Sequence, residues 1–168
     1  MVPPLIITLQ IDASAQAFFS GQRKLYFPAH INYLDAHLTL FHKLPADDIL
    51  IDETIELLCK RKSFSMEVTG VKNIGKGVVY TIYSPELQQL HKQMQLDFSN
   101  ILIPKDKGKL WPHITVQNKV TANKATVLHQ ALSKSFKPFC IEATGIATWL
   151  YLKGPWQKKA EFLFAGEE

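Results

Sequence analysis

Two short segments of the chain repeat one pattern: Ala36-His37-Leu38-Thr39-Leu40-Phe41 and Pro112-His113-Ile114-Thr115-Val116-Gln117. Each is an apolar run interrupted by a histidine and a threonine two residues apart. Short runs rich in aliphatic and β-branched residues form strands, and residues two apart on a strand share a face. His37 and Thr39 therefore point one way, with Leu38 and Leu40 opposite; His113 and Thr115 do the same against Ile114 and Val116. A fold built on this chain must accommodate two strands that each aim an imidazole and a hydroxyl to one side. By the same parity Phe41 and Gln117 follow the threonines on the polar face. Phe41 reads as a cleft floor that stacks on a base, or equally as core, and Gln117 as a substrate contact. His42 falls on the other face and reads as a structural residue at the strand end.

The remaining segments read as scaffold. Leu5 to Ile11 is a buried strand, and Asp12 or Ser14 caps a helix over Ala13 to Lys24. Tyr26 to Asp35 is a loop. The first motif strand spans Ala36 to His42, and Asp47 or Asp48 caps a helix to about Lys60 whose Ile51, Ile55 and Leu58 have helical spacing. Ser63 to Ile74 and Val78 to Tyr83 form a hairpin around Gly75-Lys76-Gly77. Ser84 then caps a helix with Pro85 at its first position, running to about Phe98. After the loop Asn100 to Leu110 come the second motif strand, Trp111 to Asn118, and a helix from Thr121 to about Ser133. Phe139 to Leu152 and Lys158 to Phe164 are strands. Each half contains a motif strand, a helix and a strand pair, with the motif histidines close to half the chain apart, which hints at a pseudo-repeat. Long strands with outer helices imply an α+β fold with antiparallel sheets.

At 168 residues the expectation is a single domain over 1–168. The formal net charge of +4 mildly favours anionic partners. Cys59 and Cys140 lack a Cys-x-x-Cys spacing and are expected as two buried, reduced thiols. The opening Met1-Val2-Pro3-Pro4 has no signal-peptide pattern, and no apolar run is long enough to span a bilayer. The expectation is a cytoplasmic protein without a membrane or an obligate protein partner.

Two histidines facing one space suit acid–base chemistry near neutral pH. One imidazole takes a proton from an attacking hydroxyl or water and the other returns one to a leaving oxygen. A hydroxyl beside each can bond a phosphoryl oxygen where charge develops. That set is sufficient for phosphodiester cleavage, with neither a cofactor nor a metal called for. A two-histidine metal site would want a third ligand, and neither motif strand carries an Asp, a Glu or a His-x-His spacing. The bland alternative is a pair of hydrogen-bonded core histidines, which the matching threonines disfavour.

His37-Leu38-Thr39-Leu40 and His113-Ile114-Thr115-Val116 resemble the paired His-x-Thr/Ser-x signature of the 2H phosphoesterases, a superfamily that includes 2′-5′ RNA ligase-like proteins and cyclic phosphodiesterases. The segments Leu5 to Asp12, Ala36 to Pro45 and Trp111 to Val120 also resemble bacterial members of the 2′-5′ RNA ligase family, and the resemblance covers essentially the whole chain. It implies a bilobal fold: two antiparallel sheets with outer helices, related by a pseudo-twofold axis, and a central cleft between the motif strands. It also implies metal-independent chemistry on 2′,3′-cyclic phosphate ends of RNA or on small cyclic nucleotides, reversible as 2′-5′ ligation. His37 and His113 would be the general acid and base, and Thr39 and Thr115 the phosphate ligands. The alternative is a non-catalytic RNA- or phosphate-binding module using the same cleft.

Outside the motifs, Trp111, Tyr33, Trp149 and Tyr151 are candidate base platforms that read better as packing residues. Lys105, Lys107 and Lys109 read as a solvated loop with room for RNA attraction. For Arg23, complementarity to the helix dipole is sufficient, with phosphate contact as the sharper reading. His30, His91 and His129 read as surface or helix residues.

Overall fold

A computed structural model describes residues 2–166. Within them, seven strands and four helices follow one another as β1 (Leu5–Ile11), α1 (Ala13–Tyr26), β2 (Leu38–Leu44), α2 (Ile49–Leu58), β3 (Phe64–Asn73), β4 (Val78–Tyr83), α3 (Pro85–Asp97), β5 (His113–Gln117), α4 (Ala122–Ser135), β6 (Phe139–Tyr151) and β7 (Trp156–Leu163). This is the expected order. Two single-turn 3-10 helices, Ala29–Ile31 and Pro104–Lys107, interrupt the two long loops. The expected caps form: Asp12, Asp48, Ser84 and Thr121 each accept a hydrogen bond from the first turn of α1, α2, α3 and α4. Among the described residues no helix is long and apolar enough to cross a membrane.

The strands are all antiparallel and follow the path β2-β1-β6-β3-β4-β5, with β7 pairing the later part of β6 along the edge opposite β1. The two expected sheets are fused through one long strand. The first residues of β6 pair with β3, from Val68–Phe139 to Phe64–Ala143, and the rest pair with β1 from Ile11–Ala143 to Leu5–Leu150. A four-stranded half, β3-β4-β5 with the start of β6, thus continues into β2-β1-β6-β7. The motif strands β2 and β5 end the path, and the sheet curls until their Cα atoms come within 8 Å of each other.

Alternation explains which side each strand buries. On β3, Phe64, Met66 and Val68 are buried while Ser65, Glu67 and Thr69 are exposed. The interior is continuous, with Leu5, Ile7, Phe19, Leu38, Phe41, Ile55, Met94, Ile114 and Ile146 in one cluster; each such side chain contributes roughly 1.5–3 kcal/mol when fully buried. Helix α1 packs Ala15, Phe19 and Arg23, spaced four apart, onto the sheet. The β3–β4 turn docks on the end of β5 because Gly77 has no side chain: a Cβ there would lie 2.0 Å from the Gln117 carbonyl oxygen. Of the cysteines, Cys59 is buried as expected, its thiol pushed up to about 11 by burial, but Cys140 is exposed because it lies on the outer face of β6.

Candidate active site

His37 is the residue before β2 and Thr39 the second residue of that strand; His113 opens β5 and Thr115 is its third residue. Both motif strands are shorter at their start than expected. Each histidine instead sits where the chain enters the strand, and this gives both rings the same anchor. His37 Nδ1 donates to the Asp35 carbonyl at 3.0 Å, and His113 Nδ1 donates to the Trp111 carbonyl at 2.8 Å. A carbonyl can only accept, so in both neutral rings Nδ1 carries the proton and Nε2 keeps its lone pair. The two imidazoles are matched in anchor and tautomer.

Each motif is strapped by the helix of the opposite half. Helix α1 holds the approach to its own motif, with Ser20 Oγ accepting the Ala36 N–H at 3.1 Å and Gln16 Nε2 donating to the Ala36 carbonyl at 2.8 Å. It also reaches across, where Arg23 Nη1 donates to the Thr115 carbonyl at 3.2 Å. In return His91 Nε2 on α3 donates to the Leu40 carbonyl at 3.0 Å, and its ring stacks on Phe41 with centroids 4.7 Å apart. His91 is therefore a helix residue, one of the two readings expected of it, but a buried strap rather than a surface one. Arg23 is likewise only 5% exposed, its guanidinium lying 3.8 Å over the Phe27 ring with Nε bonded to Asn32 Oδ1, so the helix dipole alone does not account for it.

A bulge follows the threonine in each motif. Thr39 pairs with Thr8 and Phe41 with Ile7, leaving Leu40 extra; Thr115 pairs with Val79 and Gln117 with Val78, leaving Val116 extra. An extra residue reverses the parity of everything after it. Phe41 and Gln117, expected on the cleft face, both turn inward. Phe41 is 0% exposed, stacked on His91 and edge-on to Phe98, so it packs the core and offers no cleft floor. Gln117 is buried with its Oε1 unpartnered, which leaves it little surface to give a ligand. The same shift brings His42 onto the face of Thr39.

Two cavities flank the motifs. One of about 270 Å³ is lined by Thr39, His42, Lys105, Lys109, Trp111 and His113. Another of about 230 Å³ is lined by Gln16, Tyr33, Asp35, His37, Trp149 and Trp156. The first is edged with cations, the second with aromatic rings. Trp111 stacks on His113 with centroids 4.4 Å apart and planes at 27°, and Trp156 lies 4.6 Å from the His37 ring. Trp149 is held by its own Nε1–H to Thr8 Oγ1 at 2.9 Å. Tyr33 is well exposed at the rim, and Tyr151, also exposed, lines neither cavity. A larger hollow of about 370 Å³ beside Lys92, Leu96 and Leu102 contains no motif residue.

Both imidazoles lose their proton more readily than a free histidine. His37 retains an opening to the cleft but is otherwise surrounded by protein; desolvation pulls it down to about 4, and the charges of Arg23, His113 and His42 add to this against the Asp35 carbonyl. His113 is lowered by desolvation too, then by His42 and Lys105, with the Trp111 carbonyl opposing. The charge of His113 is thus among those that lower His37. Among the described residues no cluster of His, Cys, Asp and Glu could hold a metal ion. Parity reasoning missed Trp156, Asp106 and the orientation of His42, since the bulges and the loop path leave no local signal.

The sequence pattern of the 2'-5' RNA ligase superfamily matches residues 11–155. No curated protein matches the chain in a sequence search. Among solved structures, TT0787 of Thermus thermophilus superposes with a TM-score of 0.70 at 16% identity, covering 98% of this chain and 100% of that one. LigT of Escherichia coli, crystallised with 3′-AMP, superposes with a TM-score of 0.62 at 14% identity over 98% and 99% of the two chains. At these identities the likeness establishes a shared fold.

Proposed function

Because the chain belongs to the 2'-5' RNA ligase superfamily, we propose that it is a 2H-type phosphodiesterase that opens 2′,3′-cyclic phosphates at RNA ends or on small nucleotides. The observation that carries this is the matched pair of imidazoles, each with Nδ1–H tied to the carbonyl two residues earlier. Each ring is thereby fixed with Nε2 available for proton transfer.

In the reaction a water oxygen attacks phosphorus and the bond to one ribose oxygen breaks. One Nε2 takes the water proton and the other, protonated, gives a proton to the departing ribose oxygen, leaving a phosphomonoester and the two rings with exchanged protons. Thr39 and Thr115 donate their hydroxyls to the non-bridging oxygens, where charge grows in the transition state. With a 5′-hydroxyl in place of water as the attacking group, and the ribose 3′-oxygen as the one released, the same steps join two RNA ends through a 2′-5′ bond. All of this uses side chains alone, so turnover is expected to persist in a chelator. The crystallisation of LigT with 3′-AMP is consistent with a nucleotide in the equivalent cleft.

The experiment is turnover of a nucleoside 2′,3′-cyclic phosphate, and of an oligonucleotide with the same terminus, in EDTA. Cleavage of either supports the reading. Tight binding of RNA without cleavage would favour the binding-module alternative.

A further inference from the structure

Among the described residues, His42 has a partner that no other histidine has. Its Nδ1 donates to Asp106 Oδ1 at 2.8 Å, and Asp106 also accepts the main-chain N–H of His42 at 2.9 Å and of Lys43 at 3.1 Å. The Asp106 side chain is 1% exposed, whereas that of His42 is 44% exposed. Burial opposes the charge on Asp106, but the His42 ring and the two N–H groups outweigh it and hold the carboxyl below its ordinary range. A buried ionised carboxylate is costly unless paired, and its only side-chain partner among the described residues is this ring. With Nδ1–H on the carboxylate, Nε2 is the free end, which donates to an anion when the ring carries its second proton, and the ring lines the cavity shared by Thr39 and His113.

The neighbours of that ring are cationic. Lys105 and Lys109 line the same cavity, Lys72 Nζ sits 5.2 Å over Trp111 at its edge, and the one acidic residue of the lining, Asp106, is consumed by His42. The cavity on the His37 side has no Lys or Arg in its lining and three aromatic rings instead. A substrate lying across both histidines thus meets rings on one side and positive charge on the other. One scissile phosphate between Thr39 and Thr115 leaves this second cluster unused.

We infer that His42, oriented by Asp106, forms with Lys105 and Lys109 a second anion subsite beside His113, which takes the 5′-phosphate of the nucleoside whose 2′,3′-cyclic phosphate is opened. This rests on the phosphodiesterase reading and narrows its substrates. They are nucleotides carrying two phosphates, whether the 5′ group is a monoester or the next link of an RNA strand.

The test compares kcat/KM for a nucleoside 2′,3′-cyclic phosphate with and without a 5′-phosphate. The natural chain is expected to prefer the 5′-phosphorylated substrate by roughly tenfold or more, the scale of one hydrogen bond to a charged group. His42→Gln and, on the exposed loop, Lys105→Met are each expected to bring that ratio towards one. A natural chain without preference overturns the subsite. So does a ratio unchanged in both variants, which would mean that His42 serves the scissile phosphate or the fold. If neither substrate is cleaved, the phosphodiesterase reading falls. The subsite is then judged by calorimetric binding of a nucleoside 3′,5′-bisphosphate against the 3′-monophosphate: tighter binding of the bisphosphate, lost in Lys105→Met, supports it, and equal affinities overturn it.

Discussion

Arg23 on α1 donates a 3.2 Å hydrogen bond to the main-chain carbonyl of Thr115 on β5. The bond joins a helix of the first half to the motif strand of the second, and the guanidinium, lowered by burial to about 10, adds a positive charge felt by His37. One residue therefore does two things: it fixes the backbone beneath Thr115 and it helps keep His37 neutral. Arg23→Met keeps the length of the side chain and removes both. Unfolding in urea should show a loss of about 2–3 kcal/mol, the scale of charged hydrogen bonds left unmade. The acid limb of kcat/KM should also move to higher pH as His37 regains its proton; an unmoved limb would show that the charge of Arg23 does not reach the ring.

The stability of the fold should itself depend on pH through His37. Its folded value of about 4 lies below the ordinary 6.5, so between these values the unfolded chain binds more protons than the folded one. Stability is then full above about pH 6.5 and falls as pH drops towards 4. His113 and His91 are lowered in the same direction and deepen the trend. Urea midpoints at pH 7.5 and 4.5 should differ, and His37→Gln should flatten the dependence. Equal midpoints for the natural chain would contradict the buried, neutral state of these rings.

Rate should follow a related rule. The mechanism needs one ring neutral and one protonated, and both free-enzyme values lie below 6.5. The optimum of kcat/KM, which reports the free enzyme, is therefore expected on the acid side of pH 6.5. A bound phosphate anion favours the protonated ring, so the kcat optimum should lie higher. A kcat/KM optimum above pH 8 would contradict the assignment.

Phe41 tests the bulge. If it packs the core, Phe41→Ala should cost about 3–5 kcal/mol of stability and leave KM nearly unchanged. A stable variant with a raised KM would return Phe41 to the cleft.

Much of this was legible in the sequence, for physical reasons that particular residues show. Asp12, Ser84 with Pro85, and Thr121 are strong local signals, and helices begin at them. Phe64, Met66 and Val68 alternate cleanly with polar residues, and β3 follows. His37 and His113 stand in equivalent settings because the pattern around them is equivalent. Parity failed at Phe41, Gln117 and His42 because Leu40 and Val116 are extra residues in the pairing with β1 and β4. A bulge is fixed by the neighbouring strand, and a single run of sequence does not reveal its neighbour. The Asp106 contact to His42 is likewise invisible locally, since it depends on the loop before β5 folding back over β2.

The central claim is that His37 and His113 act as one acid–base pair. It is tested most directly by kcat/KM on a 2′,3′-cyclic phosphate, in EDTA, for His37→Ala, His113→Ala and the double variant. Each single change should lower the rate by about 10²–10⁴, and the double variant should fall little further, because groups that act as a unit are non-additive. Either single variant retaining turnover within about tenfold of the natural chain, well short of a general acid or base contribution, would contradict the account.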